Sequence, residues 1–128
     1  MNAVISDADT LEAFTAAAEQ QEGPVVMLNR LKFKEGGGAL EYATYGAVAR
    51  KLIEEVGGRV LYSGRVDQLL VGETEDWDAI ALVEYPNRKA FLEMVSRPDY
   101  VQAAEHREAG LEQTVLMATT QAVRPGQA

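Results

Sequence analysis

The strands predicted from this sequence carry apolar residues on both faces, and no other feature constrains the fold as much. In the extended stretch from Pro24 to Phe33, large apolar side chains stand at odd and at even positions: Val25, Met27, Leu31 and Phe33, with Val26 and Leu28 between them. A sheet with one solvated face would instead alternate apolar and polar residues. We therefore expect both faces of the sheet to be covered.

Glycine, proline and capping residues divide the chain into predicted elements. Helices are predicted from the acceptors at Ser6–Asp9 to the stop at Gly23, from Ala39 to Val56, from Asn87 to Val95 and from Asp99 to about Gly110. Strands are predicted at Pro24–Phe33, Arg59–Gly72 with a bulge or bend at Gly64, Trp77–Pro86 and Thr114–Ala122.

The order of these elements after the leading helix is β-α-β-β-α-β, which is typical of a ferredoxin-like α+β fold. It predicts an antiparallel four-stranded sheet with the helices on one face. At this length, we expect a single domain over residues 1–122 and a disordered tail at 123–128.

The second sheet face needs a cover that the chain itself does not supply. Several large apolar side chains left in water, at about 1.5 to 3 kcal/mol each, favour association. A second copy of the chain is the expected partner, giving a homodimer through the sheet face. Charged residues within and beside the strands could pair across or around that interface: Arg30, Lys32, Asp67, Asp78 and Glu84.

Composition excludes several function classes. The formal charge of −8 and the scattered basic residues predict no nucleic-acid partner. The chain has no cysteine and one histidine, which excludes disulfides, thiolate chemistry and a multi-histidine metal site within one chain. The first residues do not form a signal peptide and no segment is apolar enough to span a membrane, so a cytoplasmic location and no membrane partner are expected.

Four segments make the chain similar to a known group of proteins. LNRLKFK, GGRVLYSG, WDAIALVEYP and DYVQAAEHREAGL together resemble a bacterial domain-of-unknown-function family of the dimeric α/β-barrel superfamily, over about Val25 to Thr120. The resemblance implies a ferredoxin-like protomer that pairs sheet against sheet and holds a cavity between its sheet and its helices. The superfamily contains cofactor-free monooxygenases, haem-degrading enzymes, isomerases and ligand-sensing domains, so the resemblance implies no single activity.

The resemblance also raises the possibility of haem. Asn29, Trp77 and His106 fall on the elements where haem-degrading members carry functional residues. A whole predicted helix, Asn87 to Val95, separates Trp77 from His106, a much longer gap than in those enzymes. We expect neither a metal nor an organic cofactor.

Arg107 and His106 lie next to each other on the last predicted helix. Arg107 falls in the middle of the apolar stripe formed by Tyr100, Ala104 and Leu111, where a guanidinium needs a partner. That partner could be a carboxylate such as Glu84 or Asp78, or a bound anion in the cavity. His106, at the border of the stripe, is either an ordinary helix residue paired with a neighbouring glutamate or a catalytic general acid or base.

Aromatic residues complete the candidate site. Tyr45, Trp77 and Tyr100 could form the wall of a pocket whose polar groups are Asn29 and Arg107, a mostly apolar lining with few polar groups. Tyr45 could equally be a core residue, and Trp77 could close a hairpin. The sequence thus leaves open a cofactor-free oxygenase or isomerase, a non-catalytic binding or sensing module for a small molecule, anionic or neutral, and a structural dimer.

Overall fold

A computed structural model describes residues 8–72 and 76–122 of the chain. Its elements are α1 (Ala8–Gln20), β1 (Val25–Phe33), α2 (Gly38–Glu55), β2 (Arg59–Arg65), β3 (Ala79–Tyr85), α3 (Arg88–Val95), α4 (Pro98–Gly110) and β4 (Leu111–Thr119). The strands form one sheet in the order β2-β3-β1-β4, in which every neighbouring pair is antiparallel. The predicted α+β, ferredoxin-like topology with a leading helix is confirmed.

Local sequence signals explain where several elements begin. The Asn87 side chain accepts a hydrogen bond from the Ala90 N–H at 2.8 Å, as a helix N-cap does. Pro98 occupies the first turn of α4, where its missing N–H costs nothing. The predicted disordered tail at 123–128 and most of the predicted first cap lie outside the described residues.

Three predicted boundaries are wrong. β2 ends at Arg65 rather than Gly72, because no neighbouring strand pairs with the residues that follow it. β3 begins at Ala79, after Trp77, and its pairing with β2 shifts register between Val60 and Tyr62 rather than at Gly64. β4 begins at Leu111, immediately after α4, because it pairs there with Phe33 of β1.

The helix-facing side of the sheet holds the core at one end. Val25, Met27 and Val83 pack there against Leu52 and Ile53 of α2. Met94 of α3, which is 1% exposed, and Tyr85 complete the same cluster. α1 packs on α3 through an edge-to-face contact between Phe14 and Phe91, with ring centroids 5.6 Å apart. The helices thus cover the core end of the sheet in one layer.

The opposite side of the sheet is apolar and open. A row of apolar side chains crosses all four strands there, because cross-strand partners share a face: Met117, Leu28, Leu82 and Tyr62. Tyr62 is 55% exposed and Met117 is 40% exposed. α1 packs on the helix side, so the described residues leave this row uncovered. The predicted apolarity of both faces is confirmed.

Most of the strand charges expected at an interface are paired within the chain. Arg59 contacts Glu84 at 3.0 Å and Arg65 contacts Asp67 at 3.1 Å. Lys32 lies 3.9 Å from Glu112. Asp78 accepts a hydrogen bond from the Phe33 N–H at 2.8 Å. Glu84 and Asp78 are therefore used in contacts that do not involve Arg107.

No helix within residues 8–72 and 76–122 has both the length and the apolar character needed to cross a bilayer.

The helices α2 and α4 meet at a close contact between two glycines. A Cβ built on Gly110 would lie 2.5 Å from the Gly38 carbonyl oxygen and 2.9 Å from the Tyr42 nitrogen. Because both of these neighbours are backbone atoms, they cannot move aside as a flexible side chain could. Only glycine allows the end of α4 to lie this close to the start of α2.

Replacing Gly110 with alanine should therefore destabilise the fold by about 1 to 3 kcal/mol, the usual cost of overpacking. Gly46→Ala is the matched control, because a Cβ there meets no heavy atom within 4 Å. That variant should gain about 0.5 to 1 kcal/mol from the helix preference of alanine. Urea unfolding of the two variants and the wild type measures both effects, and equal stabilities would contradict the close approach.

Candidate functional site

A cavity of about 400 Å³ lies between the helix-facing side of the sheet and the helices, beyond the core cluster. Its polar groups include Asn29 of β1, Tyr42, Tyr45 and Arg50 of α2, and Tyr100 and Arg107 of α4. The walls between them are apolar, with Leu31, Phe33, Ala79 and Ala81 among the lining residues. The volume and the mixture of apolar walls with few polar groups are typical of a small-molecule site.

Arg107 is a half-buried, positively charged group in the lining of this cavity. Its Nη2 donates hydrogen bonds to Thr114 Oγ1 at 3.1 Å and to Asn29 Oδ1 at 3.5 Å. Its guanidinium carbon lies 6.0 Å from the centre of the Tyr45 ring. Within the described part of the chain, no carboxylate forms an ion pair with it. The expected salt bridge to Glu84 or Asp78 is not formed.

Asn29 and Thr114 hold the arginine without neutralising it. The Asn29 side chain is 9% exposed and donates to the Ala81 carbonyl at 3.4 Å, which leaves its oxygen directed at Arg107. The Thr114 hydroxyl donates to the Arg30 carbonyl at 3.1 Å and accepts from Arg107. Both partners are neutral, so the positive charge of Arg107 remains uncompensated by the protein groups around it.

Three tyrosines surround this charge. The hydroxyls of Tyr45 and Tyr100 are 3.1 Å apart and share a hydrogen bond. Burial raises the pKa of Tyr45 well above its ordinary value, and the neighbouring Tyr100 raises it further. Burial also raises the pKa of Tyr42, although the charge of Arg107 opposes part of that rise. Tyr42 and Tyr45 are therefore neutral hydrogen-bond donors at physiological pH.

The structure brings together four of the six residues proposed from the sequence. Asn29, Tyr45, Tyr100 and Arg107 line the same cavity. His106 does not line it: its side chain is 48% exposed, and its Nδ1 lies 2.8 Å from Glu41 Oε2 on α2. This His106–Glu41 pair joins the two helices on their outer surface.

Trp77 lines a different depression. That groove, of about 900 Å³, lies at the end of the sheet and is bordered mainly by charged and polar side chains, including Lys32, Asp67 and Glu112. Trp77 precedes β3 and is placed beyond the last cross-strand pair of β1 and β3, which joins Leu31 and Ala79. The cavity, with its apolar walls and convergent polar groups, is the better candidate site.

Sequence reasoning missed the residues that create the space. Ser63, Ala79 and Ala81 on the sheet and Ala43 and Gly46 on α2 line the cavity with small side chains. Singly these residues give no signal in the sequence, because only the strand register and the packing of α2 on the sheet bring them together. No group of three His, Asp or Glu side chains converges as a metal site among the residues that the structure describes.

The topology and the cavity define the class of protein, an α+β domain of ferredoxin-like fold with a cavity between its sheet and its helices. A family model described as a domain of unknown function, DUF1330, matches residues 38–120, and the chain belongs to this family. The resemblance predicted from the sequence is confirmed. No curated protein matches the chain.

Solved structures agree with this assignment. RPA0582, a protein of unknown function from Rhodopseudomonas palustris, is 31% identical over 98% of this chain and 100% of its own, with a TM-score of 0.87. SnoaB, a cofactor-independent oxygenase from Streptomyces nogalater, is 15% identical over 82% of this chain and 99% of its own, with a TM-score of 0.59. A dimeric protein of unknown function with a ferredoxin-like fold, from Bacteroides fragilis, is 14% identical over 78% and 98%, with a TM-score of 0.55. The last two likenesses concern the fold alone.

The cavity should make the fold sensitive to alkaline pH. Burial raises the pKa of Tyr85. Among the described residues, its hydroxyl donates a hydrogen bond only to the Met94 sulfur, at 3.9 Å. Unfolded tyrosine ionises near pH 10. Above that pH the unfolded chain has released a proton that the folded chain retains, so the free energy of unfolding falls as pH rises.

Tyr85→Phe should remove this contribution. At pH 7 its free energy of unfolding should stay within about 1 kcal/mol of the wild type, because only a weak sulfur contact is lost. Between pH 7 and pH 11 it should lose about 1 kcal/mol less than the wild type. Urea unfolding at both pH values provides the measurement, and the same pH dependence in the two proteins would rule out an elevated pKa at Tyr85.

Proposed function

We propose that this protein is a homodimer in which each protomer, a single domain over residues 1–122, binds one small organic anion in the cavity between its sheet and its helices. The observation that carries the proposal is Arg107, a half-buried guanidinium whose side-chain partners are the neutral groups of Thr114 and Asn29. A carboxylate is the preferred partner of a guanidinium, because it can accept two parallel hydrogen bonds from it.

The charge of the cavity supports an anionic ligand. The chain contains 20 acidic and 12 basic residues, yet the residues that line the cavity include two arginines and no acid. Arg107 is half-buried, whereas Arg50 is exposed. This local excess of positive charge in an acidic protein favours a small molecule that carries a negative charge.

Desolvation explains why a ligand would complete this site. A guanidinium does not lose its proton, so burial without a counter-ion has a free-energy cost that neutral hydrogen-bond acceptors only partly offset. The phenols of Tyr42 and Tyr45 lie beside the arginine, and their oxygens are neutral acceptors that do not cancel its charge. An incoming carboxylate would accept hydrogen bonds from both kinds of group.

A cofactor-free oxygenase or isomerase is the second candidate. The hydroxyl pair of Tyr45 and Tyr100, next to Arg107, would suit stabilisation of a developing oxyanion. Proton abstraction, however, requires a base, and the titratable side chains that line the cavity are arginines and tyrosines, which hold their protons at neutral pH. His106, proposed from the sequence as the catalytic residue, lies on the outer surface of α4. We therefore favour binding or sensing over catalysis.

The open apolar row of Met117, Leu28, Leu82 and Tyr62 supports the homodimer. Each copy presents the same row, and a two-fold pair buries one against the other. Burial of side chains of this size stabilises by about 1.5 to 3 kcal/mol each, far more than the surface charges around the row contribute. The dimeric ferredoxin-like relative from Bacteroides fragilis is consistent with such a pair.

Arg107→Met tests the anion site. The wild type should be stabilised against heat by small aromatic and aliphatic carboxylates and not by their methyl esters. Loss of the charge-assisted hydrogen bonds, worth about 1.5 to 3 kcal/mol, should weaken carboxylate binding by about 10- to 100-fold. A thermal-shift screen identifies the carboxylates that stabilise the wild type, and isothermal titration calorimetry measures their affinities for the wild type and the variant.

The fold of this variant should be intact. Thr114 keeps its hydrogen bond to Arg30 and Asn29 keeps its bond to Ala81, so no buried acid loses its partner. Arg97→Met is the matched control, because Arg97 pairs with Glu55 and Glu93 at the surface and does not line the cavity. Carboxylate affinities that fall equally in the two variants, or that fall in neither, would refute Arg107 as the anion anchor.

Leu82→Glu tests the dimer. A carboxylate at the centre of the apolar row should convert the dimer to a folded monomer, since burying two unpaired charges at the interface is prohibitive. Leu40→Glu is the control, because Leu40 is 74% exposed on α2, on the helix side of the sheet. Analytical ultracentrifugation at micromolar concentration measures the assembly. A wild type that sediments as a monomer would exclude this interface.

A further inference from the structure

The shape of the cavity indicates which kind of anion it takes. We propose that the ligand is a planar aromatic acid whose ring lies in a slot between Gly46 of α2 and Ala81 of β3, with its carboxylate on Arg107. Gly46 is then a residue that determines specificity. This inference rests on the proposed function, since it names the class of the anion bound in the same cavity.

The floor of the slot is a row of small and polar side chains that crosses the sheet. Asn29 of β1 is paired with Ala81 of β3, and Ala81 is paired with Ser63 of β2. The next row on the same face of the sheet consists of Met27, Val83 and Val60, which are packed in or against the core. Side-chain size therefore falls from this row to the row of Asn29, Ala81 and Ser63, although both rows line the cavity.

The roof of the slot is the backbone of α2 at Gly46. This glycine lies in the interior of an 18-residue helix, where glycine is less favourable than alanine. Its φ is not positive, and an added Cβ would meet no heavy atom within 4 Å. Neither backbone geometry nor close packing therefore requires glycine here, in contrast to Gly110. The empty space beside it belongs to the cavity.

The slot runs along a row of paired residues on the sheet. Its floor extends across two interstrand spacings from Asn29 to Ser63, about 10 Å in all. This length suits one ring or two fused rings that carry a carboxylate at the Arg107 end. The small residues Gly46 above and Ala81 below leave space in which a flat ring would contact both.

The side walls provide aromatic contacts. Tyr42 and Tyr45 have ring centroids 5.3 Å apart, and Tyr42 also contacts Phe33 at 5.6 Å. Tyr100 meets Tyr45 edge to face. All four rings belong to residues that line the cavity. A bound aromatic ring can extend such a cluster through stacked or edge-to-face contacts, which a saturated ring makes less favourably.

A matched pair of ligands and a matched pair of variants test the slot. Benzoate and 2-naphthoate represent flat acids, and cyclohexanecarboxylate is the puckered analogue of benzoate with the same number of carbon atoms. Isothermal titration should show that the wild type binds benzoate about tenfold more tightly than cyclohexanecarboxylate, and 2-naphthoate at least as tightly as benzoate.

Gly46→Leu should fill the slot and reduce the affinity for both flat acids by about tenfold or more. Ala47→Leu, at the adjacent exposed position of the same helix, should leave both affinities unchanged. Gly46→Ala is the milder variant: it should fold at least as well as the wild type and weaken 2-naphthoate binding in the same direction. Circular dichroism melting confirms that each variant is folded.

The outcomes separate this inference from the proposed function. Equal affinity of the wild type for benzoate and cyclohexanecarboxylate, with binding still dependent on Arg107, would overturn the flat slot and leave the anion site standing. Unchanged 2-naphthoate affinity in both Gly46 variants would also overturn the flat slot and leave the anion site standing. Absence of any Arg107-dependent binding of these acids would overturn both proposals.

Discussion

The register of β1 against β3 is the constraint on which the cavity and the open face both depend. Side chains alternate along a strand, so the pairing of Asn29 with Ala81 on the helix side requires the pairing of Leu28 with Leu82 on the other. A slip of one residue would bring large apolar residues into the cavity and an asparagine to the open face. One set of backbone hydrogen bonds therefore fixes the site and the apolar row together.

The position of Arg107 depends on a second contact, the meeting of Gly38 and Gly110. The guanidinium lies one helical turn before Gly110, so the close approach of α4 to α2 also sets its distance from Tyr42 and Tyr45. The Lys34 N–H donates to the Gly110 carbonyl at 2.9 Å and ties the same point to the end of β1. These two backbone contacts fix where the half-buried Arg107 side chain starts, which an arginine on a mobile loop would lack.

Much of the fold could be predicted from the sequence, because glycine, proline and cap signals are local and strand apolarity is visible residue by residue. The site was harder. Arg107 was identified because an apolar stripe isolates it, whereas His106 was ambiguous because adjacent helix residues point about 100° apart and it stood at the border of the stripe. The prediction that Trp77 lines the cavity depended on where β3 begins, and that point is set by the pairing of β3 with β1. Ala81, Ser63 and Gly46 gave no signal singly, since only the register shows that they lie opposite one another.

The contrast between the charge of the chain and the charge of the cavity bears on the size of the ligand. A net charge of −8 repels anions at long range, but at physiological salt that field is screened beyond about 8 Å. Inside the cavity the lower dielectric strengthens the attraction of Arg107 for a nearby carboxylate. A polyanion such as a nucleotide or a nucleic acid would keep most of its charges outside the cavity, next to an acidic surface. A molecule with one carboxylate on an apolar body places its whole charge beside Arg107, where the attraction is strong. Its apolar body contacts the apolar walls of the cavity, so such a molecule fits the site better than a polyanion does.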